Sequence, residues 1–471
     1  MQIVRHAGSL AILLGAMLFG AGVAPANEAA APLAAYVVLG PEGAPIARVV
    51  TEAGRCPTIV IDGRAVDMTT RSAAATAPLR PSISKPELTK PSAFPASTCE
   101  AAIPRAARRV SIGDRRLPLP PRVIRRIVVI GDTGCRIKAA DNASQACADP
   151  DAYPFARVAA AAAAWKPDMV LHVGDYLYRE NPCPESDKGC AGSPWGYGLD
   201  AWRADFFDPA APLLKAAPWA MVRGNHESCN RAGQGWRRFF DVYPLTPDRT
   251  CDDPANDAAG DFTEPFAVPL GQGAQLVIWD TGSAAAKPFP ADDPRAAAYA
   301  ANLRRIAALA KARPHTILAN HHPVLAFAAK LNKSGKPELA PGNLSLQAVL
   351  AQAYPRLYPA GIDVLLSGHV HVWEQLSFGG RYPSQIVAGF SGTQEDIVPV
   401  PETLPLDAQP APGATPDAFS SWVDGFGFMT LERVGPGGWR AEIHDKTGAV
   451  VNRCAIRGRV SRCEVRQVRA G

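Results

Sequence analysis

Residues 169–180 read MVLHVGDYLYRE, a short apolar run that leads directly into a glycine, an aspartate and two tyrosines. A short apolar run that ends in a turn is typical of a buried strand. The same arrangement recurs along the chain, and each run is followed by a turn with acidic, amide or imidazole side chains. The five turns are residues 131–134 (GDTG), 174–178 (GDYLY), 224–227 (GNHE), 320–323 (NHHP) and 368–371 (GHVH).

The strands alternate with segments of helical period, and the chain is β-rich from residue 426. This pattern predicts an α/β fold, an α+β sandwich, for a domain of residues 123–471. Residues 27–122 have short β-prone runs and turn signals, which predict a small all-β, sandwich-like domain, with an extended arm as the alternative. Surface insertions are predicted at residues 183–195, 327–343 and 399–416.

Ligands of open α/β sheets lie outside the carboxyl ends of the strands, so we expect the five turns to meet at one edge. Their carboxylates, phenol, amide and imidazoles suit first-row transition metals. The set is too large for one ion and fits two ions that share an aspartate, an arrangement that clamps the oxygens of a displacement at phosphorus. The candidate ligands are Asp132, Asp175, Tyr178, Asn225, His321, His369 and His371.

In this order, the five motifs resemble those of the calcineurin-like metallophosphoesterases, and most of all the purple acid phosphatase branch. The usual superfamily opening is D-x-H, in which the histidine binds metal. Here Gly134 stands in place of that histidine, and Tyr178 belongs to the G-D-x-x-Y motif of the branch. The resemblance covers roughly residues 123–450 in motif order and includes residues 372–374 (VWE) after the last motif.

The resemblance divides the candidate ligands between two metal ions. The first ion, expected to be Fe(III), would be bound by Asp132, Tyr178 and His371. The second, a divalent ion such as Zn, Mn or Fe, would be bound by Asn225, His321 and His369. Asp175 would bridge the two ions, and the nucleophile would be a metal-bound hydroxide.

Three further residues are candidates for catalysis because they directly follow ligands or each other. His226 would hold a phosphate oxygen or protonate the leaving alkoxide, Glu227 would orient His226, and His322 would face the substrate. His172 lies inside a predicted strand and is expected to be a core histidine. Residues 280–282 (DTG) end a strand at the same edge, where we expect a plain turn rather than a supporting role.

The function implied by the resemblance is hydrolysis of phosphomonoesters by an exported, acid phosphatase-like enzyme with two metal ions. A phosphodiesterase that acts on nucleotides or phospholipid head groups is the alternative, since the same metal core serves both reactions. From a different class, the protein would be a non-catalytic phosphate- or surface-binding module, but none of the seven ligands is missing. A third option places the function in the β domain, for instance attachment to carbohydrate.

The N-terminus and the cysteines indicate a periplasmic or secreted protein. Residues 1–26 have the charge, apolar run and small residues of a signal peptide, with cleavage near Ala26, and the run is shorter than the roughly 20 residues of a membrane anchor. The ten cysteines fall into neighbouring couples that predict local disulfides, and no C-x-x-C supports a zinc cluster. The couples are Cys56 with Cys99, Cys135 with Cys147, Cys183 with Cys190, Cys229 with Cys251 and Cys454 with Cys463.

Composition narrows the possible partners. The 471 residues carry a formal charge of +5, which is too mild to indicate nucleic acid. No segment after residue 26 is long enough to span a membrane, so we expect no stable span once the signal is removed. The expected partner is a small phosphate ester, and the oligomeric state is left open.

Overall fold

Residues 32–396 and 404–466 are described by the structure, which is a computed structural model. The predicted signal segment, residues 1–26, lies outside them, as do residues 399–403 of the insertion predicted at 399–416. Among the described residues, none of the helices combines the length and the apolar composition that a membrane crossing requires.

The strands and helices of the described residues are numbered in chain order. The first ten strands are β1 Ala34–Leu39, β2 Pro45–Thr51, β3 Thr58–Ile61, β4 Arg64–Asp67, β5 Thr69–Ser72, β6 Ala75–Ala77, β7 Ser92–Phe94, β8 Ser97–Ala102, β9 Val110–Ile112 and β10 Arg115–Arg116. The others are β11 Arg126–Ile130, β12 Ile137–Lys138, β13 Ala143–Ser144, β14 Met169–His172, β15 Trp219–Met221, β16 Phe266–Gly271, β17 Ala274–Ile278, β18 His315–Ala319, β19 Ala328–Leu331, β20 Pro337–Ala340, β21 Ile362–Ser367, β22 Trp373–Ser377, β23 Ser384–Ala388, β24 Ala418–Trp422, β25 Gly427–Gly435, β26 Gly438–Asp445, β27 Val450–Arg457 and β28 Val460–Cys463. The helices are α1 Phe155–Ala164, α2 Leu199–Trp202, α3 Ala211–Ala216, α4 Gly233–Phe239, α5 Asp257–Gly260, α6 Pro294–Lys311 and α7 Leu344–Ala353.

Two large sheets contain most of the strands. The first has eleven strands in the order β28-β27-β26-β25-β11-β14-β15-β1-β2-β8-β5, and the second has seven in the order β16-β17-β18-β21-β23-β22-β24. Neighbours β11, β14 and β15 are parallel, as are β17, β18, β21 and β23. The five motif turns follow β11, β14, β15, β18 and β21, so they all lie at carboxyl ends of parallel strands.

Alternating apolar residues bury both faces of the two sheets. Val129 of the first sheet and Ile317 of the second belong to a core that lies between the sheets. On the other face of the first sheet, Val128 shares a core with residues of α1 to α4. On the outer face of the second, Leu318 shares a core with α6 and α7. The layers run helix, sheet, sheet, helix, which confirms the predicted sandwich.

The all-β, sandwich-like region before residue 123 is also confirmed, but its strands are shared with the larger fold. Strands β1, β2 and β8 enclose a small core with the four-stranded sheet β10-β9-β3-β4. In addition, β1 pairs in parallel with β15, with Val38 opposite Trp219. The first large sheet therefore crosses the predicted boundary between residues 122 and 123, and the division into two domains stays a prediction.

All five disulfides form between the predicted neighbours, so the pairing expected from the sequence is confirmed. Three of them lie beside motif turns: Cys135 follows the first turn, Cys183 lies shortly after Tyr178, and Cys229 lies two residues after Glu227. The cross-links therefore brace the loops around the predicted metals as well as the sheets.

Candidate metal centre

The backbone of three candidate ligands has a conformation that non-glycine residues rarely adopt. The φ angles of Asp132, Asp175 and His369 are 54°, 59° and 73°, which is the left-handed region. Such residues persist where the surrounding structure fixes them, and they cluster at functional sites. The sharp turns direct the side chains from several strand ends toward one another.

The Tyr178 hydroxyl is the meeting point of the first group of candidate ligands. It lies 2.9 Å from Asp132 Oδ1, 2.9 Å from Asp175 Oδ2 and 2.9 Å from His371 Nε2. His371 Nδ1 is 3.0 Å from the Gln394 carbonyl oxygen, a hydrogen bond that leaves Nε2 facing this group. The structure thus brings together the side chains predicted for the first ion.

The second group surrounds the side-chain oxygen of Asn225. This Oδ1 atom lies 3.1 Å from His321 Nε2 and 3.0 Å from His369 Nδ1. Donor atoms of Asp175, His321 and His369 all lie within 4.8 Å of one another, close enough to hold one ion. His321 Nδ1 is 2.9 Å from the Val173 carbonyl oxygen, which orients its ring in the same way as that of His371.

Asp175 lies between the two groups. The same oxygen, Oδ2, is 2.9 Å from the Tyr178 hydroxyl and 3.1 Å from His321 Nε2. Its other oxygen accepts a hydrogen bond of 2.9 Å from the backbone N–H of His226. Although burial opposes it, the imidazoles of His321 and His226 hold the pKa of Asp175 well below its usual range.

The side chains on their own leave this group short of positive charge, which fits a pair of metal ions. Tyr178 has one hydroxyl proton for its three close neighbours. Burial and the adjacent carboxylates raise the pKa of Tyr178 well above its usual value, and against the effect of burial Asp175 raises the pKa of His321 to about 9. Oxygen and imidazole donors that lack balancing positive charge suit first-row metal cations.

The surroundings of Gly134 leave no room for a side chain at the position where the resemblance would place a histidine. A Cβ atom at Gly134 would lie 2.7 Å from the backbone nitrogen of Tyr178 and 2.7 Å from Asp205 Oδ2. No side chain fits there, because the loop that carries Tyr178 occupies the space. The glycine at position 134 and the loop that carries Tyr178 are therefore structurally coupled.

His226 lies directly against the first group. Its ring centroid is 3.8 Å from that of Tyr178, and its Nδ1 is 3.0 Å from the Leu177 carbonyl oxygen and 3.2 Å from Glu180 Oε1. Glu180 in turn accepts hydrogen bonds from Arg231 Nε at 3.0 Å and from Tyr197 at 2.8 Å. Burial and the nearby Arg231 lower the pKa of His226 to about 4.

Glu227 does not make the contact that the sequence predicts. Its carboxylate accepts backbone N–H groups of Gly224, Asp175 and Tyr176 at 3.0, 3.1 and 2.8 Å. Burial and Asp175 raise its pKa to about 8. The prediction that Glu227 orients His226 is wrong, because Glu227 lies beneath the backbone of the Asp175 turn while Glu180 reaches the imidazole.

His322 lies on the side of the second group. Its ring centroid is 4.2 Å from that of His369, and its backbone N–H donates to Thr281 Oγ1 at 3.1 Å. The N–H of His321 donates to the same oxygen at 3.1 Å. Thr281 therefore supports the fourth motif, although the sequence favours a plain turn there. His172 is fully buried and stacks on Tyr176, as a core residue.

Several residues that hold the site have no motif of their own. Asp205 accepts the backbone N–H groups of Cys135 and Tyr178 at 3.0 and 2.8 Å, and so ties the first two turns together. It lies in a π-helix, Arg203–Phe207, that continues α2. Nothing in the sequence marks this aspartate apart from the aromatic residues that follow it. Arg231, which contacts Glu180, is likewise not part of any sequence motif.

Two cavities open beside the second group, and they differ in polarity. One, of about 410 Å³, is lined by Asn225, by other hydroxyl, amide and charged side chains such as Ser228 and Arg231, and by apolar residues that include Ile83 and Phe262. The other, of about 340 Å³, begins at His369 and is lined mainly by alanine, proline, phenylalanine and leucine. We refer to them as the polar and the apolar cavity.

The family model of the calcineurin-like phosphoesterases matches residues 125–373, which is more than half of the chain. The protein therefore belongs to this family and is a metallophosphoesterase, as the motifs predict. Membership implies a dinuclear metal site and a small phosphoester substrate.

Solved structures show the same fold at low sequence identity. Purple acid phosphatase PPD1 from yellow lupin (Lupinus luteus) seeds has a TM-score of 0.52 at 13% identity, covering 88% of this chain and 72% of that chain. PhoD has a TM-score of 0.53 at 12% identity, covering 95% of this chain and 96% of that chain. Among curated proteins, none matches the sequence.

Proposed function

We propose that this protein is an exported, acid phosphatase-like phosphomonoesterase whose centre holds Fe(III) and a divalent ion, Zn, Mn or Fe. The observation that carries the proposal is the position of Asp175 Oδ2, which lies 2.9 Å from the Tyr178 hydroxyl and 3.1 Å from His321 Nε2. One carboxylate oxygen that faces two sets of donors supports a shared ligand. The phenol in one set favours a hard, trivalent ion there.

The ligand assignment follows the two groups. The first ion would be held by Asp132, Tyr178 and His371 and the second by Asn225, His321 and His369, with Asp175 shared. When bound, the pair supplies the positive charge that activates water and neutralises the phosphoryl oxygens during an in-line displacement.

His226 is the protein group best placed to act on the substrate. Its Nδ1 atom has the Leu177 carbonyl and Glu180 as acceptors, so the ring is fixed with Nε2 toward the site. Nε2 lies 3.8 Å from Asp175 Oδ2. In the neutral ring the single proton lies on Nδ1 between the Leu177 carbonyl and Glu180, so Nε2 is free to accept a proton, and only the protonated ring, formed below its lowered pKa, can donate from Nε2 to a phosphoryl oxygen or to the departing alkoxide. We assign His322 a contact with the substrate and Glu227 a positioning role.

Export to the periplasm or the medium is part of the proposal. The signal-like residues 1–26 and the five disulfides support it, because disulfides form and persist in oxidising compartments. Amino-terminal sequencing of the protein recovered from the periplasm tests it. A start near residue 27 is expected, and an intact Met1 in a cytoplasmic fraction would contradict it.

The central test combines elemental analysis, the visible spectrum and a pair of substrates. We expect two metal ions per chain, one of them iron, and a violet or pink protein that hydrolyses p-nitrophenyl phosphate faster than bis(p-nitrophenyl) phosphate. One ion per chain would contradict the shared ligand. A colourless protein with its full iron content would contradict the tyrosine assignment.

Phosphodiester hydrolysis is the second candidate, and the two cavities favour it. A diester carries two substituents on phosphorus. The polar cavity is lined by Asn225 and the apolar cavity by His369, both proposed ligands of the same ion, so each cavity is placed to take one substituent. The substrate pair decides between the candidates, since faster hydrolysis of the diester would select this one.

A further inference from the structure

The polar cavity has a wall that the metallophosphoesterase domain does not supply. Ile83, from a proline-rich segment of the N-terminal region, lines this cavity together with Asn225, and half of the isoleucine side chain is exposed. We call residues 78–90 the Pro-rich segment. It connects β6 to β7.

Anchors on three parts of the catalytic domain hold the Pro-rich segment in place. Arg80 makes hydrogen bonds of 2.8 and 2.7 Å to both carboxylate oxygens of Asp257, a residue that itself lines the cavity. The Asn181 amide donates to Ser84 Oγ at 2.8 Å and to the Leu88 carbonyl at 3.2 Å. Asn181 lies three residues after Tyr178, so the segment is fixed to the metal loops themselves.

A third anchor comes from α4. The Gln234 side-chain amide donates to the Pro78 carbonyl at 3.1 Å, at the beginning of the Pro-rich segment. The Pro-rich segment is thus held at several points along its length, and its half-exposed Ile83 lines the cavity. It forms one wall of the cavity. Burying that isoleucine against a ligand would remove apolar surface from water, which is favourable.

The charges of the polar cavity are already neutralised by partners. Each charged side chain of its lining has an oppositely charged neighbour, so the cavity as a whole offers hydrogen bonds without an excess of either sign. The pairs are Asp257 with Arg80, Asp261 with Arg223, Arg231 with Glu180 and Arg295 with Asp293.

We propose that the polar cavity is the subsite for the leaving group and that the Pro-rich segment is its outer wall, selective for a bulky, neutral, hydroxyl-bearing alcohol of nucleoside size. The volume of about 410 Å³ suits such a group, and Ser228, Asn230 and Ser283 offer hydrogen bonds while Ile83 packs against a ring. An aryl alcohol would instead suit the apolar cavity. This inference rests on the proposed phosphatase function.

The test uses the full chain with adenosine monophosphate and phenyl phosphate as substrates. We expect Ile83→Ala to lower the ratio of kcat/KM for adenosine monophosphate to that for phenyl phosphate by about three- to tenfold, through KM. Leu79→Ala is the matched control, since Leu79 lies on the same segment, is 51% exposed against 50% for Ile83, and does not line the cavity. Arg80→Ala, which removes the anchor on Asp257, should lower the ratio in the same direction.

The possible failures separate the inference from the function on which it rests. An unchanged ratio in Ile83→Ala, or equal changes in Ile83→Ala and Leu79→Ala, would overturn the subsite while the phosphatase function stands. If the unmodified protein, loaded with metal, hydrolyses neither monoester, the proposed function falls and the subsite falls with it.

Discussion

The two halves of the proposed metal centre, the candidate ligands around Tyr178 and those around Asn225, both contact Asp175 but are enclosed in different ways. Tyr178, at the middle of the first half, is 1% exposed and is surrounded by candidate ligands, whereas His369 of the second half is an exposed residue. Asn225 lines the polar cavity and His369 lines the apolar cavity, whereas no residue of the first half lines either of these two cavities. We therefore expect the closed half to retain its ion and the open half to exchange its ion and admit the substrate.

The largest effect is expected where the two halves meet. Asp175→Asn removes the shared carboxylate, and we expect both ions to be lost and hydrolysis to fall by more than about a thousandfold, since removing even one preorganised group costs about 10²–10³ in kcat. Elemental analysis and an assay of p-nitrophenyl phosphate measure both effects. Asp208→Asn, at an exposed aspartate, is the control. Retention of both ions would remove the bridging role.

The closed half is tested by its tyrosine. Tyr178→Phe keeps the ring but removes the phenol oxygen, so we expect the visible absorption to disappear and iron content to fall while the fold is retained. Tyr176→Phe is the matched control, because Tyr176 is equally buried and its hydroxyl donates to the Val222 carbonyl at 3.0 Å. Loss of colour in the control as well would show that the effect is structural.

Both halves can be predicted from the sequence to the same degree, because every candidate ligand lies in a turn that follows a strand. The apolar run identifies the strand, and parallel pairing brings the turns to one edge. The coupled change at Gly134 and Tyr178 is also visible in the motifs. Only the structure gives its reason, the 2.7 Å approach of a Cβ at Gly134 to the Tyr178 backbone nitrogen.

The groups that hold the ligands could not be predicted in this way, since their partners are distant in sequence. Asp205 contacts Arg179, 26 residues away, and Arg231 contacts Glu180, 51 residues away. The pairing of Val38 with Trp219 is equally non-local, so the N-terminal region is predicted as a separate unit although its strands extend the large sheet. Local patterns predict elements and turns, but not which remote side chains support them.

The open half is expected to lose its ion reversibly. Asn225→Ala removes the oxygen that faces His321 and His369, so we expect the divalent ion to be lost on dialysis while iron and colour remain. Activity should return when Zn²⁺ or Mn²⁺ is added in excess, because the remaining ligands still form part of the site. Activity that cannot be restored, together with loss of colour, would mean that the two halves do not act separately.

The smallest effects are expected at Glu227 and Glu180, and they distinguish a residue that supports the metal ligands from one that supports His226. Glu227→Gln keeps the shape of the side chain but places an amide among the backbone N–H groups of the Asp175 turn, and we expect metal affinity to fall by about 10- to 100-fold. Glu180→Gln, at the carboxylate beside His226, should keep the metal content and lower kcat instead, with KM little changed. Each variant is first stripped of metal with a chelator. Titration with metal then measures the metal affinity, and steady-state kinetics of the reloaded variant measure kcat and KM. If the Glu180 variant lost metal and the Glu227 variant did not, the positioning roles assigned to these two residues would be reversed.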